Sequence, residues 1–148
     1  MNSYMQQALD QARQAAARGE VPVGAVIVDG GSGRVLAMAG NETRALNDPT
    51  AHAELLAIRR ACDALQSERL EGCDLYVTLE PCPMCAGAIS FARLRRLYFG
   101  AEDPKGGGVL HGPRVFAHAT CHHAPEVYPG IAATESVTLL RDFFASRR

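Results

Sequence analysis

The stretch from Leu75 to Phe99 constrains this chain more than any other. Leu75-Tyr76-Val77-Thr78-Leu79 is a near-continuous apolar run, the pattern of a central strand covered on both faces. Pro81 ends it, and Pro83 suits the first turn of a helix that runs through Ala86-Gly87-Ala88-Ile89 to about Ala92. Small residues on this helix let its backbone sit close to a neighbour. Leu97-Tyr98-Phe99 then reads as a short strand. Strand, helix, strand predicts a parallel, right-handed crossover, and with it an α/β layered fold.

The flanking segments extend that picture. Asn2 to Arg18 reads as an amphipathic helix with Met5, Leu9, Ala12 and Ala16 on one side, ended by Gly19. Val21–Val28 and Val35–Ala39, separated by Asp29-Gly30-Gly31-Ser32-Gly33, predict a hairpin. A polar loop, Asn41 to Pro49, leads into a helix from about Ala51 to Leu65, with Leu55, Leu56, Ile58 and Ala61 as its buried stripe. Asp103 to Pro129 is rich in Gly, Pro and His and reads mostly as loop, with a short strand near Val127. Thr134 to Arg148 is a final helix, expected to bury Val137, Leu140 and Phe144.

At 148 residues, 47% hydrophobic and 21% charged, the chain is expected to form one domain, 1–148. A net charge of -1 does not point to nucleic acid, so any such partner needs a local basic patch. Arg93, Arg95, Arg96, Arg141, Arg147 and Arg148 are candidates for one, although each taken singly fits an ordinary solvated face. No apolar run approaches the roughly 18 residues of a membrane span. The amino terminus lacks a signal-peptide pattern, which gives an expectation of a cytoplasmic protein. Five cysteines, an odd number, argue against a disulfide scaffold.

Two motifs carry chemistry. His52-Ala53-Glu54 and Pro81-Cys82-Pro83-Met84-Cys85 both fall at expected helix starts. Two intervening residues let both thiolates reach one metal, and zinc accepts thiolate and imidazole together. A helix amino terminus favours the thiolate form. Three ligands leave a fourth position for water, as in catalytic rather than structural zinc sites. Glu54, two residues from His52, is placed to take a proton from that water and pass it to a leaving group. The motif pair is the known signature of zinc base deaminases, so these roles follow from that class and not from spacing alone.

Other readings stay open at this stage. A Cys-x-x-Cys alone also suits a redox pair or a structural zinc, with Cys73 or Cys121 as fourth ligand. Cys62 and Cys73 suit the core, and Met38 and Met84 suit packing. Cys121-His122-His123 reads as a loop with structural or substrate contacts, since adjacent residues rarely converge on one ion. Gly106-Gly107-Gly108 reads as a flexible turn.

Longer blocks add a resemblance. Glu20-Val21-Pro22-Val23-Gly24-Ala25-Val26, Asp48-Pro49-Thr50-Ala51-His52-Ala53-Glu54 and Leu75-Tyr76-Val77-Thr78-Leu79-Glu80-Pro81-Cys82 resemble the bacterial tRNA adenosine deaminase family, within the cytidine deaminase-like superfamily. So do Met84-Cys85-Ala86-Gly87-Ala88, Phe99-Gly100-Ala101 and Asp142-Phe143-Phe144 with Arg147-Arg148. Pro104 to Pro129 departs from the family's best-known members. The resemblance implies a three-layer α/β/α sandwich with a central mixed five-stranded sheet, a homodimer and one zinc per subunit. It implies hydrolysis of adenosine to inosine at the wobble position of a tRNA anticodon stem-loop. Carried onto this chain, His52, Cys82 and Cys85 hold zinc and Glu54 shuttles protons. Asn41, the Ala53 backbone and Asp103 meet substrate. A free-base or nucleoside deaminase and a non-catalytic zinc-binding subunit are the rival expectations.

Overall fold

The computed structural model describes residues 3–147. In chain order the elements are α1 (Tyr4–Ala17), β1 (Gly24–Asp29), β2 (Val35–Gly40), α2 (Ala53–Leu65) and β3 (Cys73–Leu79). Then come α3 (Pro83–Ala92), β4 (Arg96–Ala101), a 3-10 turn (Val115–Ala117), β5 (Glu126–Tyr128) and α4 (Ala133–Ala145). The strands form one five-stranded sheet in the order β2-β1-β3-β4-β5. β1 runs antiparallel to β2 and β3, whereas β3, β4 and β5 are parallel. The sheet is mixed, as expected.

Alternation along the strands builds two cores from one sheet. Ala25, Ile27, Leu75, Val77, Leu97 and Phe99 point to the face covered by α2 and α3. Val26, Val28, Tyr76 and Tyr98 point to the opposite face, under Met5, Ala8 and Leu9 of α1 and Leu139 of α4. That is an α/β/α sandwich, with β3 central and apolar toward both layers.

Register brings three chain segments to one end. Ala25 pairs with Val77, Gly24 with Gly40, and Leu79 with Ala101. The segments after β2, β3 and β4, starting at Asn41, Glu80 and Glu102, therefore leave the sheet together. Residues 72–74 and Arg95–Arg96 lie at the other end.

Two expectations about helices shift. In α4 the buried residues are Ser136 and Phe143, while Val137 and Phe144 are 39% and 51% exposed. The helix meets the sheet through a small residue: a Cβ on Gly100 would lie 2.4 Å from Ser136 Oγ, a contact that apolar periodicity does not register. In α1, Ser3 caps the amino end through its Oγ, and Ala15 is buried where Ala16 was expected. Asn2 and Arg148 lie outside the described residues. Met38 and Met84 are 36% and 38% exposed, so neither is core packing.

Candidate metal centre

His52 and Cys82 occupy the N-cap positions of α2 and α3. Helices ordinarily place Ser, Thr, Asp or Asn there, because a short oxygen-bearing side chain satisfies the free N–H groups of the first turn. Neither His52 nor Cys82 makes a capping bond. Their side chains converge instead on Cys85, in the first turn of α3. His52 Nδ1 lies 3.6 Å from Cys82 Sγ and 3.5 Å from Cys85 Sγ. The three donor atoms lie within 4.8 Å of one another, and no further His, Cys, Asp or Glu joins that group among the described residues.

Spacing and chemistry suit zinc. Bonds of about 2.3 Å to sulfur and about 2.0–2.1 Å to nitrogen give a tetrahedral S···N edge of about 3.5–3.6 Å. Soft thiolates with an imidazole are also a donor set that zinc accepts.

Electrostatics prepare the donors. A hydrogen bond from the Cys85 thiol, with help from His52, holds Cys82 down at about 4, in the thiolate form. The same bond, together with burial, pushes Cys85 up. The bond to Cys82 raises His52. Glu54, one residue into α2, is only 4% exposed, and burial pushes its carboxyl up to about 7, with His52, Cys82 and Cys85 close enough to act on it. A carboxyl near 7 can both take and give a proton at neutral pH.

The loops around the centre are ordered by polar residues. Asn41 Oδ1 accepts the Ala53 N–H at 2.9 Å, so it supplies from outside the cap that His52 does not. Asn41 and Ala53, both expected to meet substrate, are thus bonded to one another. Asp48 Oδ1 accepts from the Thr50 N–H and hydroxyl, at 2.8 and 2.7 Å, just ahead of His52. Buried Glu20 accepts the Arg44 and Ala45 N–H groups at 3.1 and 2.8 Å, fixing the segment after Asn41. Asp103 Oδ1 accepts the Lys105 and Gly106 N–H groups at 3.2 and 2.9 Å, closing its own turn.

The remaining candidates separate from the centre. Ser90 Oγ and Cys121 Sγ both donate to the His123 carbonyl, at 2.6 and 3.1 Å. His123 Nε2 donates to the Leu94 carbonyl at 2.7 Å, so the Cys121-His122-His123 stretch fastens its loop to α3 and the turn after it. Cys73 is buried and Cys62 packs against the main core. Arg95 clasps Asp74 through two bonds of 3.0 and 2.7 Å, and Arg96 pairs with Glu126 at 2.7 Å. Both lie at the sheet end away from His52 and Cys82. Arg147 rests over the Phe143 ring, 4.0 Å from its centroid.

Comparison with known proteins narrows the class. A model of the MafB19-like deaminase family matches residues 1–148. A tRNA-specific adenosine deaminase of Agrobacterium fabrum is 62% identical over 145 residues, covering 98% of this chain and 94% of that protein. The chain belongs to the tRNA-specific adenosine deaminase family. A solved structure from a study of A-to-I editing by tRNA:A34 deaminases at the wobble position of transfer RNA superposes with a TM-score of 0.90. It is 63% identical and covers 93% of this chain and 98% of that one. A guanine deaminase from Bacillus subtilis is 43% identical, with a TM-score of 0.65, over 69% of this chain and 66% of that one.

Within this deaminase, reasoning from sequence singled out the three side chains that converge here and Glu54 beside them, but passed over Glu80. That residue is buried between β3 and the cysteine turn, and five N–H groups surround it. Burial alone would raise its carboxyl. The bonds from Asp103, His111, Leu110 and Val109 outweigh burial and hold it below the usual carboxylate range. A charged residue closing an apolar central strand was the visible signal.

Proposed function

We propose that residues 1–148 form a single deaminase domain that converts adenosine to inosine at the wobble position of a tRNA anticodon. The convergence of His52, Cys82 and Cys85 beside a buried carboxyl is the observation that carries this reading. The name and the 62% identity of the Agrobacterium relative supply the substrate. His52, Cys82 and Cys85 would hold one zinc per subunit, and zinc, when bound, supplies Lewis-acid activation of water.

The chain's own residues do the rest. Glu54 accepts the proton released from water. It delivers that proton to the adenine ring nitrogen, then takes the remaining proton from the hydroxyl now on C6 and passes it to the departing ammonia. Its burial keeps the carboxyl near 7, poised for both directions of transfer. Asn41 and the Ala53 backbone line the base pocket, and Asp103 stands at the rim where the RNA backbone passes. An unpaired anticodon base costs little to extrude, so a small protein can admit it.

The enzyme works as a cytoplasmic homodimer. No helix among the described residues is long and apolar enough to cross a membrane. Phe91 on α3 is 83% exposed beside a groove of about 410 Å³ lined by Pro83, Gly87, Pro113 and Val115, an apolar face suited to a second copy.

The deciding assay incubates the zinc-loaded protein with an anticodon stem-loop carrying wobble adenosine, beside free adenine, guanine and cytosine. Inosine in the RNA alone is the expected result. The 43% identity to a guanine deaminase makes ammonia from free guanine the informative contrary outcome.

A further inference from the structure

Gly106-Gly107-Gly108 reads from sequence as a flexible turn, yet the structure wedges it against the cysteine turn. A Cβ on Gly107 would sit 2.3 Å from Glu80 Oε2, and one on Gly108 would sit 2.6 Å from the Pro83 nitrogen. Only glycine allows that approach. Gly108 N–H donates to the Pro81 carbonyl at 2.8 Å, and the Gly108 carbonyl accepts the Val115 N–H at 2.8 Å.

Glu80 is the centre of this contact. Its Oε1 accepts the Asp103 N–H at 3.1 Å and His111 Nδ1 at 2.8 Å. Its Oε2 accepts the N–H groups of Val109, Leu110 and His111, at 3.2, 2.9 and 3.1 Å. The carboxylate is 2% exposed and stands two residues before Cys82. One buried charge thus replaces regular secondary structure as the partner for four backbone N–H groups. The segment has no strand or helix of its own to hold it there.

We infer that Glu80 is a positioning residue, clamping residues 103–111 onto the Pro81-Cys82-Pro83 turn so that Asp103 and the two cysteine donors move as one body. Taken with the proposed function, the clamp sets where bound RNA lies relative to Glu54 and the donors. Glu80→Gln puts an amide NH₂ among groups that are all donors, so about half the accepting capacity is lost without loss of bulk. Glu80→Asp keeps the charge with a shorter reach.

Hydrogen exchange on the zinc-loaded protein tests the clamp without relying on activity. In Glu80→Gln the Asp103, Val109, Leu110 and His111 amides should exchange about tenfold faster or more, while α1 and β1 amides and zinc per chain stay as in the parent. KM for the stem-loop should rise by about tenfold with a smaller change in kcat, and Glu80→Asp should recover part of both. If Glu80→Gln does not fold, His111→Phe removes one of the five bonds and should accelerate the same amides more modestly. Protection within twofold of the parent overturns the proposal, as does an even loss that includes α1 and β1. A parent protein inactive on the stem-loop would overturn the functional reading alone, leaving the exchange result to stand for the clamp.

Discussion

Glu54 illustrates what a single buried side chain contributes and costs. Its carboxyl is shut away from water, so the neutral form is favoured until about pH 7. Glu54→Gln keeps the shape and removes the proton acceptor. Turnover should fall by about 10²–10⁴-fold, with zinc content and melting temperature unchanged or slightly raised. Metal analysis and a thermal melt on the same sample check both halves. A variant that also lost its zinc would place Glu54 among the donors instead. The donors themselves were legible because His52, Cys82 and Cys85 occupy short local motifs. Glu80 was not, because its partners lie 23 to 31 residues further along, where sequence pattern carries no pairing information.

Elements obey the same division between local and distant information. β3 and α3 were readable from an apolar run and a proline at the first helical position, and α3 begins and ends where expected. α4 was placed correctly along the chain but rotated, since its closest approach uses Ser136 under Gly100. A similar close approach joins α1 to β1. A Cβ on Gly24 would lie 1.9 Å from the Ala8 carbonyl oxygen and 2.6 Å from the Ala12 nitrogen. Gly24→Ala must push a helix off the sheet and should cost about 3 kcal/mol in denaturant unfolding.

Strand register also stacks Tyr76, Tyr98 and Tyr128 across β3, β4 and β5, with ring centroids 4.4 and 4.9 Å apart. Burial first, and the neighbouring Tyr98 second, push the Tyr76 phenol up to about 12. The native state then keeps a proton that the unfolded chain releases near pH 10, so stability declines between about pH 10 and 12 and levels off above. Tyr76→Phe should flatten that decline in urea melts at pH 9 and pH 11.5. Phenolate absorbance should lose a late-titrating component when Tyr76 is replaced.

At the scale of the whole molecule, charge and shape point to different surfaces. A net charge of -1 includes arginines already paired with acids, as Arg95 with Asp74 and Arg96 with Glu126. Acidic partners beside these two arginines weaken that end of the sheet as an RNA anchor. The apolar α3 face is the better candidate for assembly. Phe91→Asp should convert the proposed dimer to monomer in sedimentation velocity while zinc per chain is retained. A parent that sediments as monomer at micromolar concentration removes the basis for that expectation. The layered α/β fold was visible from the apolar central strand and the strand-helix-strand crossover. The homodimer was an expectation from the family resemblance alone, because one exposed Phe in a sequence looks the same as one in a core.

The donor set straddles the central strand, with Cys82 30 positions after His52. On the ribosome, the β1–β2 hairpin and the imidazole emerge well before either thiol, and a lone imidazole grips an ion too weakly to keep it. The zinc proposed for this site finds its full donor set only once α2 and α3 have both packed onto the sheet. A chelator present during translation would meet an open chain and intercept the ion freely, whereas one added after release must wait for the sandwich to breathe.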